Sequence, residues 1–380
     1  MTERLFLEDA YLVEFSAKVI ESQFDGRYFN VVLDKTAFFP EGGGQKADGG
    51  FIEDLAVVDV VEKEDKIIHK LLEDLPVGKQ VNCAIDFEKR FSYMQNHTGE
   101  HILSGIIKKN FGFNNVGFHL GEELVTLDVD GVLTEEQIIL AEKLANEIVY
   151  KDKEIIAYYP TLEEQENLDF RSKIAIMEGL RLVEIKDCDL CACCAPHVKS
   201  TAQVGNIKIL DFSSHRGGTR ITLVCGEYLV NYLQKVDGVL NGVMKIFSAN
   251  KDSIFDKIAL LREENQKLKG EVQGLKNQMI LSTLQISESE NLIFAKTKDA
   301  DFDQIRFSLN TLQEKGKAVL IVAENSGTIL YMLSSKDNRA ESIFNEMRKR
   351  LVVKGGFRNN FSQGKIDNSI AEIENVIGSF

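Results

Sequence analysis

At 380 residues the chain exceeds one ordinary core, so two to four domains are expected. Its 44% hydrophobic and 27% charged residues are those of a soluble globular protein, and no apolar run nears the roughly 20 residues needed to cross a bilayer. The net charge of −14 argues against a broad nucleic-acid surface, since phosphate binding runs on Lys and Arg.

The acidity is uneven. Residues 1–235 carry 25 basic and 40 acidic side chains, whereas residues 281–380 carry 13 of each. Any nucleic-acid contact is therefore expected towards the back of the chain or in a small basic groove up front. The N-terminus, MTERLFLEDAYLVEF, lacks a basic segment followed by an apolar one and does not read as a signal peptide. Four of the six cysteines crowd into CDLCACC, which suggests metal or reactive thiols rather than a disulfide framework. A cytoplasmic location is expected.

In chain order, residues 1–90 read as β. AKVIESQFDGRYFNVVLDKTAFFP and GGFIEDLAVVDVVEKEDKIIHKL alternate and are β-branched, with short polar turns, as in a small β-barrel or sandwich. From about residue 91 the period becomes helical, in FSYMQNHTGEHILSGIIKKNF. A strand pair around GFHLGEELVTLDVDG follows, then a helix opened by Thr134 as N-cap. RLVEIKD, QVGNIKILDFSS and TRITLVCG read as strands that complete an α+β domain over 91–235. In 236–285, Ile254, Ile258, Leu261, Leu268, Val272, Leu275 and Met279 approximate a heptad seam. That seam suits either a helix packed on its own chain or a hairpin or homodimer contact through 236–380. Residues 286–380 restart as α/β and contain a glycine-rich turn, VKGGFRNNFSQGK. The expected fold class is thus α+β and multidomain.

Two pairs of metal-prone side chains stand out. His97 and His101 are four apart on the helical stretch, so both imidazoles can face one point. Cys193 and His197 repeat the spacing in CCAPH. Zinc favours four nitrogen and sulfur ligands, commonly as two closely spaced pairs. Two rivals compete for these residues. Cys188 and Cys191 offer a Cys-x2-Cys knuckle, with Cys194 as a third thiol. HTGEH also fits H-x-x-E-H, the pattern of inverzincin metallopeptidases, with Glu100 as base and Glu178 as a distant third ligand.

Taken together and in order, the motifs resemble one family. HTGEHILSG is similar to the H-x3-H helix of the editing domain of alanyl-tRNA synthetases and of the free-standing AlaX proteins. CCAPHVKSTAQVG resembles that family's CGGTHV segment, and TAFFPEGGGQKADGG its glycine-rich element. VKGGFRNNFSQG resembles the glycine turn of the DHH-associated domain that ends alanyl-tRNA synthetases. An alanyl-tRNA synthetase would be expected to carry an aminoacylation domain ahead of this region, so the resemblance expected is to the long form of AlaX.

The resemblance implies a trans-editing hydrolase for mischarged tRNA(Ala), chiefly Ser-tRNA(Ala) and also Gly-tRNA(Ala). It implies Zn2+ at His97, His101, Cys193 and His197. The implied domains are a glycine-rich-motif β-barrel over 1–90, an α/β zinc editing domain over 91–235, a helical linker over 236–285, and a DHH-associated domain over 286–380 for tRNA binding or oligomerisation. Gly42, Gly43 and Gly44 would admit the terminal adenosine, with Gln45 and Thr36 as hydrogen-bonding candidates and Thr36 the one for the serine hydroxyl. Arg216 and Arg220 are candidates for the acceptor end. Arg348, Lys349, Arg350, Lys354, Gly355, Gly356 and Arg358 would meet tRNA, with Phe357 and Phe361 stacking on bases. No side chain stands out as general base. Two departures are plain: CCAPH adds a second thiol and a proline, and Phe357 replaces a glycine. Besides the peptidase, a non-catalytic RNA-binding protein with structural zinc stays open.

Overall fold

The alternating run near the N-terminus forms one long strand, Glu14–Phe24, that serves two halves of a seven-stranded antiparallel sheet. Its first half pairs with Gln80–Ile85 and its second with Phe29–Leu33, the register shifting between Val19 and Glu21. Beyond these lie Gly50–Ile52 and Leu55–Ala56 on one side, Lys66–Leu71 and Asp59–Lys63 on the other. Only Val57 and Val58 separate the two end strands in sequence, so the sheet curls back on itself around Val19, Val31, Phe38, Phe39, Ile52, Ile67 and Leu71. This is a computed structural model, describing residues 2–172, 178–313, 317–378 and 380. The chain divides into two units, Met1–Gly242 and Val243–Phe380.

The helix expected from the change of period is Phe87–Phe111. Asp86 caps it, accepting from the Lys89 amide at 3.2 Å, and Gly112 ends it at φ 78°. Between Ser92 and Ile107 every residue except Gln95 is buried, so this helix is the axis of the unit rather than a surface element. Four antiparallel strands, in the order Asn115–Leu120, Val125–Val129, Gly218–Cys225, Ile207–His215, share its core with the helix Glu135–Tyr150. Thr134 caps that second helix in a reciprocal box with Gln137. A three-stranded sheet, Ile155–Tyr158, Leu182–Ile185 and Asp189–Ala192, carries the cysteine-rich segment.

Arg90, on the axial helix, ties that helix to the glycine-rich segment. Its guanidinium forks onto Asp48, with Nε donating to Oδ1 at 2.8 Å, and also donates to the Ala10 and Ala37 carbonyls. Both partners are fully buried. Asp48 in turn accepts from the Phe39 amide.

The second unit holds a six-stranded mixed sheet in the order Gln285–Glu288, Leu292–Lys298, Ala318–Asn325, Thr328–Ser334, Phe361–Ile366, Val353–Arg358. Leu292–Lys298 and Ala318–Asn325 are parallel, and their stretches Leu292–Ala295 and Ala318–Ala323 are continuously apolar and buried, because both faces are covered. The helix Phe302–Gln313 covers one face; Arg339–Arg350 and Ile370–Ile377 cover the other. The expected glycine-rich turn is instead a hairpin. VKGGFR is a strand, and the turn is Asn359–Asn360, both at positive φ. A Cβ on Gly355 would lie 2.5 Å from the Tyr331 hydroxyl and 2.6 Å from the Gln363 carbonyl, so close packing explains that glycine.

The heptad seam lies on the helix Ile254–Thr283. Ile254 and Ile280 are buried, whereas Ile258, Leu261, Leu268, Val272, Leu275 and Met279 are exposed. The reading of a helix packed along its seam on its own chain does not describe this element. Among the described residues no helix is long and apolar enough to cross a membrane.

Candidate metal centre

The buried axial helix presents His97 and His101 one turn apart, and the chain leaving the strand Asp189–Ala192 brings Cys193 and His197 onto them. The ligand atoms of all four lie within 4.8 Å of one another. Cys193 Sγ is 3.3 Å from His197 Nε2 and 3.6 Å from His97 Nε2. Tetrahedral zinc with ordinary Zn–S and Zn–N bonds separates sulfur from nitrogen by about 3.6 Å. The donor set therefore fits zinc in both kind and spacing.

The other ring nitrogens are held from behind. His97 Nδ1 lies 2.8 Å from Gln45 Oε1 and His197 Nδ1 3.0 Å from the Thr98 hydroxyl. His101 Nδ1 approaches Asp189 Oδ2 to 3.2 Å without the alignment of a full hydrogen bond. Asp189 is itself fixed by Arg171, whose Nε and Nη2 donate to its two oxygens at 2.6 and 2.7 Å. Such partners set the tautomer that leaves Nε2 free for a metal. Arg181 donates to the carbonyls of Cys193 and Ala195 at 2.9 and 3.1 Å, pinning the loop that carries the thiol.

Burial alone would raise the Cys193 thiol, but the imidazoles of His97 and His197 facing it hold it well below its ordinary value. Burial pushes His197 down to about 3. Burial also opposes charge on His101, yet Cys191, Asp189 and Cys193 around it carry it well above its usual value. The centre thus favours a Cys193 thiolate with a proton held on His101, and a bound dication would displace that proton.

His97, His101 and Cys193 of the cluster form part of the wall of a cavity of about 1090 Å³. Gly43, Gly44, Glu100, Phe118 and Arg171 are other parts of that wall. Phe118 packs on His97 with ring centroids 4.7 Å apart. It does so in the space a Cβ on Gly44 would take, 2.5 Å from Phe118 Cδ1.

Comparison with known proteins adds independent observations. Residues 180–222 match the threonyl and alanyl tRNA synthetase second additional domain, and residues 8–89 match the class II (A) tRNA synthetases. The chain is 30% identical to the alanyl-tRNA editing protein AlaX-L of Pyrococcus horikoshii, over 99% of this chain and 97% of that protein. It belongs to the alanyl-tRNA editing protein family. Alanine–tRNA ligases are also similar. That of Ignicoccus hospitalis is 31% identical over 84% of this chain and 37% of its own, that of Thermococcus kodakarensis 28% over 99% and 44%. The chain therefore spans about two fifths of these ligases.

In this family member the structure brings His97, His101, Cys193 and His197 together, as their spacing suggested. Glu178 is not in the cluster, so the inverzincin set lacks its third ligand. The thiol knuckle does not assemble either. Cys188 donates towards the Ile102 carbonyl, and Cys191 falls instead in an alternative group with His101 and Asp189. Thr36 does not line the cavity. It is fully buried, its oxygen accepting from the Phe38 amide and meeting His69 Nε2 at 2.9 Å. Gln45 touches His97 rather than facing the cavity, and Gly42 stands outside the wall formed by Gly43 and Gly44.

Arg216 sits in the turn between Ile207–His215 and Gly218–Cys225, and Arg220 forks onto Asp128; neither lines the cavity. In the second unit, Lys349 and Arg350 pair with Glu346, Lys354 with Asp367, and Arg348 lies over the Phe344 ring. Gly356 and Arg358 are exposed on the hairpin. Phe357 is half-buried and stacked on Phe344, centroids 5.3 Å apart, which covers one face of its ring.

Thr98, Asp189, Arg171 and Arg181 were missed by sequence reasoning. Thr98 lies inside HTGEH, and Asp189 inside CDLCACC, so proximity to the ligands was the available signal.

Proposed function

We propose that this chain is a trans-editing aminoacyl-tRNA deacylase, hydrolysing the ester of Ser-tRNA(Ala) and, with it, Gly-tRNA(Ala). Family membership supports this, and the observation that carries it to particular residues is the three-histidine, one-cysteine cluster, of which His97, His101 and Cys193 line a large cavity. His97, His101, Cys193 and His197 would hold zinc, which when bound can polarise an ester carbonyl or lower the pKa of a water. Gln45, Thr98 and Asp189 keep the three rings oriented, and Arg171 keeps Asp189 in place. The bare backbone of Gly43 and Gly44 offers an approach for the terminal adenosine. Exposed Lys108 and Lys109, also in the cavity wall, offer charge to the phosphates of the acceptor end.

In the same reading, residues 1–90 are the glycine-rich β-domain, 91–235 the editing domain, 236–285 the helical linker, and 286–380 a DHH-associated domain whose cations, Arg348 to Arg358, meet tRNA. The test is release of amino acid from Ser-, Gly- and Ala-tRNA(Ala), with Cys193→Ala alongside. Rapid serine release, slow alanine release and an inert, zinc-poor variant are expected. A metal-free variant with full activity would sink the zinc assignment, and no release from any of the three esters would sink the function.

A further inference from the structure

Glu100 lies on the axial helix between the two histidine ligands and lines the same cavity, although only 2% of it is exposed. Its Oε1 accepts from the Ser104 hydroxyl and, at 2.8 Å, from Asn115 Nδ2. Both donors are neutral, and among the described residues Oε2 accepts no hydrogen bond. A buried carboxylate is costly unless a cation or several donors answer it.

Among the described residues the cations of the cavity wall have their hydrogen-bond partners elsewhere, although Arg171 also acts on Glu100 through space. Arg171 spends its fork on Asp189, Arg4 pairs with Glu62, and Arg181 donates to the Cys193 and Ala195 carbonyls. Lys108 donates to Asn114 and Lys109 to the Asp187 carbonyl. None of them forms an ion pair with Glu100.

The deacylation reading, on which this inference rests, brings a cation to that place. An aminoacyl ester differs from a peptidyl or N-blocked ester in its free α-ammonium, two bonds from the carbonyl carbon. With the carbonyl at the metal cluster, the ammonium lies in the same cavity, whose wall carries the Glu100 carboxylate one turn of helix from His97. We infer that Glu100 binds the substrate's α-ammonium through Oε2 and makes this enzyme selective for aminoacyl esters over N-acylated or deaminated ones. Ser104 and Asn115 hold Oε1 so that Oε2 faces the cavity.

The experiment compares three esters of the same tRNA(Ala), each with wild-type protein and with Glu100→Gln. They are the seryl ester, its N-acetyl derivative, and the 2-hydroxy ester made by nitrous acid treatment, in which a hydroxyl replaces the ammonium. The glutamine keeps an Oε1 for Ser104 and Asn115. Wild type should prefer the seryl ester by roughly 10- to 100-fold in kcat/KM, the worth of a charge-assisted hydrogen bond. In Glu100→Gln, with zinc content unchanged, that preference should collapse, mostly through a higher KM for the seryl ester, and Glu100→Asp should restore part of it.

Equal rates on all three esters with wild type would overturn the assignment without any variant being needed. So would an equal loss of kcat on all three with Glu100→Gln, which would make Glu100 a general base or a structural residue. No hydrolysis of seryl-tRNA(Ala) by wild type would instead overturn the deacylase reading itself, and the ammonium site with it.

Discussion

Gln45 separates two roles that the glycine-rich segment could play. If it orients a ligand, its Oε1 accepts the hydrogen bond from His97 Nδ1–H at 2.8 Å and so fixes the tautomer that offers Nε2 to metal. Gln45→Met keeps the length of the side chain and removes that acceptor. Gln45 Nε2 has no partner, so nothing is lost at the amide nitrogen. What remains is a fully buried N–H without an acceptor, a cost of about 1–3 kcal/mol. Most of it falls on the metal-bound state. Without metal, His97 can shift its proton to Nε2 and point it at Cys193 Sγ, 3.6 Å away. The expected loss is therefore on the order of 10- to 100-fold in zinc affinity, read by competition with a chromogenic chelator. Serine release should shift to correspondingly higher free zinc and recover once zinc saturates, with KM for seryl-tRNA(Ala) within about twofold of wild type by the same argument. Unchanged zinc affinity with a raised KM would refute this and return Gln45 to the role of substrate contact.

Four further outcomes are expected. Asp48→Ala leaves Arg90 charged and unanswered in the core, so it should cost about 3–5 kcal/mol, read as a lower Tm; a change under about 1 kcal/mol would mean the fork is dispensable. Burial holds His69 to about 4, below the 6.5 of the unfolded chain. The unfolded state thus binds the extra proton, and about 3 kcal/mol is lost as pH falls from 6.5 to 4; His69→Gln should flatten that limb of the stability curve, and identical limbs would exclude His69 as its source. Changing Arg348, Lys349, Arg350, Lys354 and Arg358 to Gln should raise KM for tRNA and flatten its dependence on log salt while sparing kcat; an unaltered KM would make residues 286–380 an assembly element. Sedimentation tests the exposed seam from Ile258 to Met279: a homodimer lost on changing Leu268 and Leu275 to Lys is expected, and a monomer at micromolar concentration counts against pairing through 236–380.

Local signals carried well into the structure. Thr134 and its box with Gln137 depend on neighbours three residues apart, and the alternation of Glu14–Phe24 depends on period two, so both were legible in sequence. The hairpin at Asn359–Asn360 was misread because glycine was taken to mean a turn. Gly355 and Gly364 are there for the opposite reason, a close pair of strands in which a Cβ on Gly355 would meet Tyr331 and one on Gly364 the Lys354 carbonyl. The seam of Ile254–Thr283 shows a different limit. A heptad pattern states that an apolar stripe exists, not what covers it, and on this chain the stripe is left exposed.

At the candidate site the same division separates ligands from the residues that aim them. His97 with His101, and Cys193 with His197, are each bound by helical or turn spacing, so each pair could be found by reading along the chain. The residues behind the rings obey no such spacing: Gln45 lies 52 positions before His97, and Thr98 lies 99 before His197. They are neighbours only because Arg90 draws the glycine-rich segment onto the helix and Arg181 pins the Cys193 loop across it. Thr36 makes the converse case. Its position beside GGGQ suggested a polar contact for serine, but the same sheet closure that delivers Gln45 to His97 turns Thr36 inward to His69. A carboxylate such as Glu100 is harder still to assign from sequence, since within H-x-x-E-H it fits a peptidase base as well as an ammonium site. What distinguishes the two is the set of partners it lacks among the described residues, and that becomes visible only when the described cations around the cavity have been followed to their own acceptors.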